Sequence, residues 1–476
     1  MSQHRSPTDW FGPFGIDAEL AEKVLAAAAE NGADDADLYF EHATTTSIGL
    51  SDRAVNRAHL SIDLGMGVRV VVGDQVGYAY TEDFDLESLL RAARVAAQIA
   101  HRGQKVVPVR ATSRKISDFY PTQRHWADVD LVDRLPLVRN WEEWTFAEDP
   151  RVQKVQVSLA DTDKHVLIVR LDGTMVADYR PMTRAMVGCT MIDGTQRETG
   201  HQNLASRVGL EYYTEERQRR MVKEAVQRAS QALISESPPA GEMPVVLAAG
   251  SSGILLHEAI GHGMEADFNR KGISIYADKL GKRIAPADGT VVDDATVIGA
   301  RGALNVDDEA SPTEKTTLVE NGILKTYLHD RISARHYGVD STGSGRRESF
   351  RHPVLPRMRA TYMEPGPHPP EDILKSVKNG LYCETFANGQ VQIGAGDFAF
   401  YVRQGWLIED GRLTKPVKDV NLIGNGPQVL ESIEMVGNDL VIDEGGWTCG
   451  KDGQSVPVSQ GMPTVKVAKL SVGGRR

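Results

Sequence analysis

The spacing of apolar and polar positions changes period several times along the chain. Asp17 to Glu30 repeats at helical spacing, with Asp17 placed as a cap and Gly32 just beyond the end. GVRVVV and QVGYAYT then alternate at strand spacing on either side of Gly73-Asp74, which predicts a hairpin. Phe84 to Ala100 returns to the helical period, with Leu86, Leu89, Leu90, Ala93, Ala96 and Ala97 on one side. From Val152 to Thr190, β-like runs separated by turn signals such as Asp172-Gly173 read as an antiparallel meander. Thr214 to Ile234 reads as a long polar helix rich in Arg and Glu.

The Ser/Pro/Gly stretch from Ser235 to Pro244 interrupts this pattern and marks the best domain boundary. It divides the chain into an N-terminal domain over 1–235, a linker over 236–244 and a C-terminal domain over 245–476. The second half opens with an apolar strand, Val245 to Ala248, and a Gly-Ser-Ser-Gly turn. A helix carrying LLHEAIGH follows, with Ser251 or Ser252 able to cap it. The remainder is mostly β, with hairpin turns at Asn321-Gly322 and Asp410-Gly411. The fold class is therefore α+β: a mixed α/β N-terminal domain, then a largely antiparallel β domain that carries one distinctive helix.

Composition narrows the function classes. A chain of 476 residues with 41% hydrophobic and 25% charged residues has ample material for a core, and for two or three units. A formal net charge of −11 argues against a broad electrostatic grip on nucleic acid or on anionic membranes. No apolar run approaches the length of a membrane span, and MSQHRSPTDWFGPFG has no apolar core of a signal peptide. Three scattered cysteines do not make a disulfide framework. A cytoplasmic protein is the expectation.

The segment that carries chemistry is His257-Glu258-Ala259-Ile260-Gly261-His262. Neutral imidazoles are good zinc ligands, and a glutamate beside the first can deprotonate a water held by the metal. In the better-known HExxH arrangement the histidines are four residues apart, about 40° around an α-helix; five residues give about 140°. Two ligands that far apart do not share one tetrahedral ion. A π-type turn at roughly 4.4 residues restores the alignment, and Gly261 would ease that distortion. In a chain with 13 histidines a chance H-E-x-x-x-H arises with odds of roughly a few in a hundred, so two satisfied core histidines are the alternative.

Other features carry weaker signals. Gly343-Ser344-Gly345-Arg346-Arg347 could take a substrate carboxylate or carbonyl, or be a solvated basic loop. The aspartate pairs at 293/294 and 307/308 lack calcium-loop spacing and read as turns. Gly394-Ala395-Gly396 lacks the strand-turn-helix setting of a nucleotide fingerprint.

LLHEAIGHGMEADFNRKG, VVDDAT, ALNVDDEASPTE, VENGILKTYLHDRISAR, STGSGRRESFRHPVLPRMRATYM and VGNDLVIDEGGWTCGKDGQSVPVSQGMPTVKV together closely resemble the TldD branch of the TldD/PmbA family. The likeness runs almost continuously from about Gly250 to Gly474; the N-terminal half agrees in element order with weaker motifs. The resemblance implies a zinc peptidase acting on small peptides, leader peptides or unfolded segments. It also implies assembly with a TldE/PmbA-like partner, with a homodimer as the other possibility. The metal ligands it implies are His257, His262 and, from the C-G-K-x-G-Q stretch, Cys449, with Glu258 as general base. Two imidazoles and a thiolate leave a catalytic zinc one open position. Cys189 and Cys383, each in a β-like run, read instead as small core residues. His329, Tyr337, Arg346 and Tyr362 are candidates for the electrophilic helper of a developing oxyanion. The rival reading is a non-catalytic zinc-containing binding protein; the family has been named for an effect on DNA gyrase.

Overall fold

The structure, a computed structural model, describes residues 10–99 and 106–474. The leader reading of residues 1–9 and the end of the second helix at Ala100 lie outside the described residues.

The N-terminal half is built on one long sheet, antiparallel except at one short edge strand. Its helices are α1 (Ala18–Ala28), α2 (Leu86–Ile99), α3 (Leu131–Glu148) and α4 (Glu215–Ile234). Its strands are β1 (Asp35–Ser51), β2 (Ala54–Val72), β3 (Gln75–Thr81), β4 (Thr112–Ser113), β5 (Val152–Arg170), β6 (Thr174–Tyr179), β7 (Met182–Asp193) and β8 (Gln196–Ser206). The Asp17 carboxylate caps α1, accepting the Leu20 N–H at 2.8 Å. The expected hairpin joins β2 to β3 through Gly73, whose φ of 57° favours glycine. The meander is present with one modification: β6 and β7 follow each other along the same edge of β5 and are broken at Arg180-Pro181.

Strands of 17 to 19 residues, longer than the runs read from the sequence, arise because each sheet end has its own helical cover. At one end α1 and α2 bury Leu25, Leu89 and Ala93 against Leu38, Phe40 and Val68. At the other, α3 and α4 bury Trp141, Met221 and Val222 against Val155, Val187 and Leu204. Helix α3 escaped the sequence reading because its apolar positions follow no clear stripe and Pro136 lies within it.

In the C-terminal half five strands close on themselves. Gly241–Leu247 lies between Asn379–Val391 and Val465–Gly474; Val420–Asn425 and Asp397–Glu409 complete the circuit back to Asn379–Val391. Part of the stretch expected as a linker belongs to this closed sheet, whose strand begins at Gly241, and Glu236 bridges to Val417 on a neighbouring strand. Pro244 is tolerated there because the facing strand shifts register between Val467 and Leu470, beside it. A second sheet runs through Val291–Asp294, Ala360–Met363 and Ser459–Met462.

The two halves are held together by buried ion pairs. Arg347 reaches Asp37 at 2.9 Å, Arg69 reaches Glu309 at 2.5 Å, and Arg180 pairs with Asp308. This corrects two expectations. Arg346 and Arg347 form neither a substrate loop nor a solvated one: both are buried, and Arg346 donates to the carbonyls of Met358 and Pro457. The aspartate pairs are buried acceptors rather than simple turns. Asp293 holds Arg359 at 2.6 Å, and Asp307 accepts the backbone N–H groups of Glu309, Ser311 and Gly345.

Candidate metal centre

His257 and His262 lie on one segment whose winding changes three times. It begins as a 3-10 turn over Ser251–Gly253, is α-helical over Ile254–Leu256, widens to a π-turn over His257–Gly261 and tightens again over His262–Met264. The His262 N–H donates to the His257 carbonyl, a step of five residues. The expected wide turn is therefore present, and it brings the two rings to 5.0 Å between centroids, nearly perpendicular at 87°. The Ala259 carbonyl, within the irregular turn, accepts the Tyr276 hydroxyl at 2.9 Å.

Two local expectations are corrected. Gly261 has φ −54° and ψ −54°, ordinary right-handed values, so conformational freedom is not its role. A Cβ there would sit 1.9 Å from Met358 Sδ; the glycine makes room for a buried neighbour. Neither serine caps the helix. Ser252 Oγ donates back to the Ala248 carbonyl, and Ser251 Oγ reaches the Glu384 carbonyl at 3.4 Å.

Cys449 arrives from the far end of the sequence on the hairpin Thr448–Lys451/Gln454–Pro457. The positive φ angles of Asp452 and Gly453 give this hairpin its tight two-residue turn. Its backbone is pinned from below, where Arg357 Nη2 donates to the Cys449 carbonyl at 2.6 Å. Cys449 Sγ stands 3.5 Å from His262 Nε2, and one ligand atom from each of His257, His262 and Cys449 falls within 4.8 Å of the others.

These residues fit a zinc ion. Zinc–sulfur and zinc–nitrogen bonds of about 2.3 and 2.05 Å at a tetrahedral angle put the two donors about 3.6 Å apart. The observed 3.5 Å agrees. His257 Nδ1 is buried with no hydrogen-bond partner, a polar atom otherwise unaccounted for. The thiol chemistry agrees too. Burial pushes Cys449 up, but the charge of His257 and hydrogen bonds from both imidazoles outweigh it and hold the thiol well below its usual range. Cys189 and Cys383 are buried without such neighbours, and burial pushes Cys189 up to about 11 and Cys383 higher still.

The other side of His262 is also held. Its Nδ1 lies 3.0 Å from Glu265 Oε2, and Lys451 Nζ reaches the same oxygen at 3.2 Å. Glu265 is wholly buried; burial raises its carboxyl, but Lys451 and then His262 bring it down to about 2. The carboxylate orients the imidazole so that Nε2 faces the thiolate. Sequence reasoning missed Glu265, Lys451 and Arg357. The first was findable, since a carboxylate three residues after a helical histidine shares its face.

Glu258 is half-buried and opens with His257, His262, Cys449, Trp447 and Gln460 onto one cavity of about 390 Å3. None of the four oxyanion candidates lines it. His329 packs against Tyr337, Tyr362 donates to Asp294 at 2.9 Å, and Arg346 is spent on backbone carbonyls.

Residues 36–100, 124–233 and 240–474 match, in turn, domain 1, the central domain and the C-terminal domain described as PmbA/TldA metallopeptidase. A metalloprotease TldD homolog of Haemophilus influenzae is 38% identical over 469 residues, 97% of each chain. The chain belongs to the TldD/PmbA family. A zinc metalloprotease TldD homolog of Saccharolobus solfataricus is 36% identical over 243 residues, 51% of this chain and 54% of that one. Among solved structures, a Thermotoga maritima protein described as a candidate modulator of a DNA gyrase superposes with a TM-score of 0.78 at 21% identity, covering 96% of this chain and 99% of that one. TldE from Thermococcus kodakarensis gives 0.73 at 17%, covering 95% and 100%. These likenesses establish the TldD/PmbA fold, α+β with a strand-rich C-terminal domain. No helix among the described residues is long and apolar enough to cross a membrane.

Proposed function

We propose that the protein is a zinc-dependent peptidase of small or unfolded peptides, with His257, His262 and Cys449 as metal ligands and Glu258 as general base. The observation that carries this reading is the convergence of those four residues on one cavity, with a half-exposed carboxylate beside three buried donors. Among the described residues no fourth His, Cys, Asp or Glu completes the donor group, which suits a catalytic site with an open position.

When bound, zinc supplies Lewis acidity, which acidifies a water and polarises the scissile carbonyl. The chain's own residues do the rest. A carboxylate oxygen of Glu258 takes the proton of the attacking water and delivers it to the leaving amine nitrogen as the amide C–N bond breaks. Glu265 fixes the His262 tautomer through Nδ1, leaving Nε2 for the metal side. Assembly with a TldE-like partner, drawn from the family, and a cytoplasmic site of action, drawn from the sequence, belong to the same proposal.

A non-catalytic zinc protein that modulates a partner is the rival, and Glu258→Gln separates the two. The substitution keeps size and hydrogen bonding but cannot take the proton. Peptide turnover by zinc-loaded protein should drop by about 10²- to 10⁴-fold while zinc content and peptide affinity persist. Turnover that survives the substitution would reject Glu258 as base. A wild type that binds zinc and peptide yet cuts nothing, alone or with a TldE-like partner, would favour the rival.

A further inference from the structure

A second pocket, of about 300 Å3, lies against the candidate metal cavity, and Trp447 lines both. It is formed where β7, β8 and α4 of the N-terminal half meet residues 385–387, 403–404 and 443–447 of the C-terminal half. Three arginines from three different elements line it: Arg184, Arg228 and Arg403. Their hydrogen bonds go to neutral acceptors. Arg184 donates to Asn203 at 3.0 Å, Arg228 to the His201 carbonyl and Gln202, and Arg403 lies 2.9 Å from His201 Nδ1. Among the described residues none of the three forms an ion pair.

His201 reports how close these charges are. Burial first, and then Arg403, Arg228 and Arg184, hold its imidazole down at about 4. At neutral pH it is an uncharged acceptor that aims Arg403 and adds no negative charge. The acidic residue of the pocket, Asp443, is engaged by the Trp447 indole N–H and the backbone of Gly445. Arg228 also lies in the field of Glu224, Asp443 and Glu384, but the pocket wall itself carries three arginines against the one carboxylate of Asp443, a net positive charge. Arg228 is half-buried while Arg184 and Arg403 stand exposed at the pocket, and the planar guanidinium is suited to bidentate recognition of a carboxylate.

The position of this pocket gives it a use. Ser251 lines it, while His257 lines the metal cavity, on the same winding segment. Six residues at 1.5–2.0 Å rise place these points roughly 10 Å apart. An extended peptide covers that distance in about three residues at 3.3 Å each.

We infer that the Arg184/Arg228/Arg403 pocket binds a carboxylate of the peptide substrate about three residues from the bond presented to Glu258. This rests on the peptidase reading and adds a substrate class to it: short peptides with a free C-terminal carboxylate, or with an acidic side chain at that distance. Bidentate charge-assisted contacts of this kind, discounted for the exposure of Arg184 and Arg403, are together worth about tenfold in affinity.

The test uses zinc-loaded full-length protein and one peptide sequence in three forms: C-terminal acid, C-terminal amide, and amide carrying Asp at the position that reaches the pocket. The acid should be cut with a KM at least about tenfold below that of the amide, with kcat little changed. Arg403→Gln and Arg184→Gln should each remove that difference without changing zinc content. An Asp-bearing amide that regains the low KM identifies the side chain as the carboxylate source; one that does not identifies the C-terminus. Equal KM for acid, amide and Asp-bearing amide in the wild type, or a preference that survives both arginine substitutions, overturns the inference and leaves the peptidase reading intact. If no form is cut, by the protein alone or with a TldE-like partner, the peptidase reading has failed. The pocket is then judged by equilibrium binding of all three forms to the same protein, where equal affinity overturns it as well.

Discussion

Glu265 Oε2 lies 3.0 Å from His262 Nδ1, three residues apart on one winding segment and both buried. The contact divides the imidazole into a held side and a reactive side. Glu265→Gln keeps the shape but removes the charge that fixes the tautomer. Zinc affinity, measured by chelator competition, should weaken about 10- to 100-fold. Unchanged affinity would show that the contact is only packing.

Cys449→Ala should leave a folded protein with little bound zinc, whereas Cys189→Ala and Cys383→Ala should hold about one ion per chain. The contrast follows from the low Cys449 thiol and the two high ones. Metal analysis of the three purified variants decides it. Zinc kept by Cys449→Ala and lost by either of the others would remove Cys449 from the site.

Gly261→Ala would drive a methyl into Met358 Sδ. Because Met358 is fully buried, the expected cost is about 1–3 kcal/mol in chemical denaturation. Met358→Ala, itself costly in the core, should cost less in the Gly261→Ala background than alone, as coupled neighbours do. A cost near zero for the single change would mean that Met358 can simply turn away.

Stability should fall on acidification for a reason outside the metal site. Burial holds the His329 imidazole down at about 4, with Asp330 opposing, whereas an unfolded chain takes that proton near 6.5. Between those values the unfolded state binds more protons, so the stability present above about 6.5 is lost as pH falls towards 4. The loss should be of order 1–3 kcal/mol. His329→Phe keeps a ring against Tyr337 and should flatten this part of the profile. A variant with the wild-type slope would exclude His329.

Much of the local structure was legible because it is written at short range. The cap at Asp17, the turn at Gly73 and the wide turn at His257–Gly261 each depend on residues within about five positions of one another. Helix α3 was not legible, since its Pro136 and unstriped face hide a helix that tertiary packing of Trp141 secures. The arginines of the Gly343–Arg347 stretch misled for the opposite reason. Charge patterning suggested a surface, and only the fold shows Asp37 waiting inside, more than 300 positions away along the chain.

By itself, the sequence determined that one segment could present two imidazoles and a carboxylate together, and that only a five-residue turn would align them. The family resemblance, not spacing, put forward Cys449. Tertiary structure alone decided that its sulfur lies 3.5 Å from His262, that Glu265 and Lys451 stand behind that histidine, and that three arginines from separate elements share a pocket. The physical reason is range. Backbone hydrogen bonding links residues a few positions apart and leaves a periodic trace in the sequence. Contacts between His262 and Cys449, 187 positions apart, are set by strand register and by how buried charges pair, and these leave no period to read.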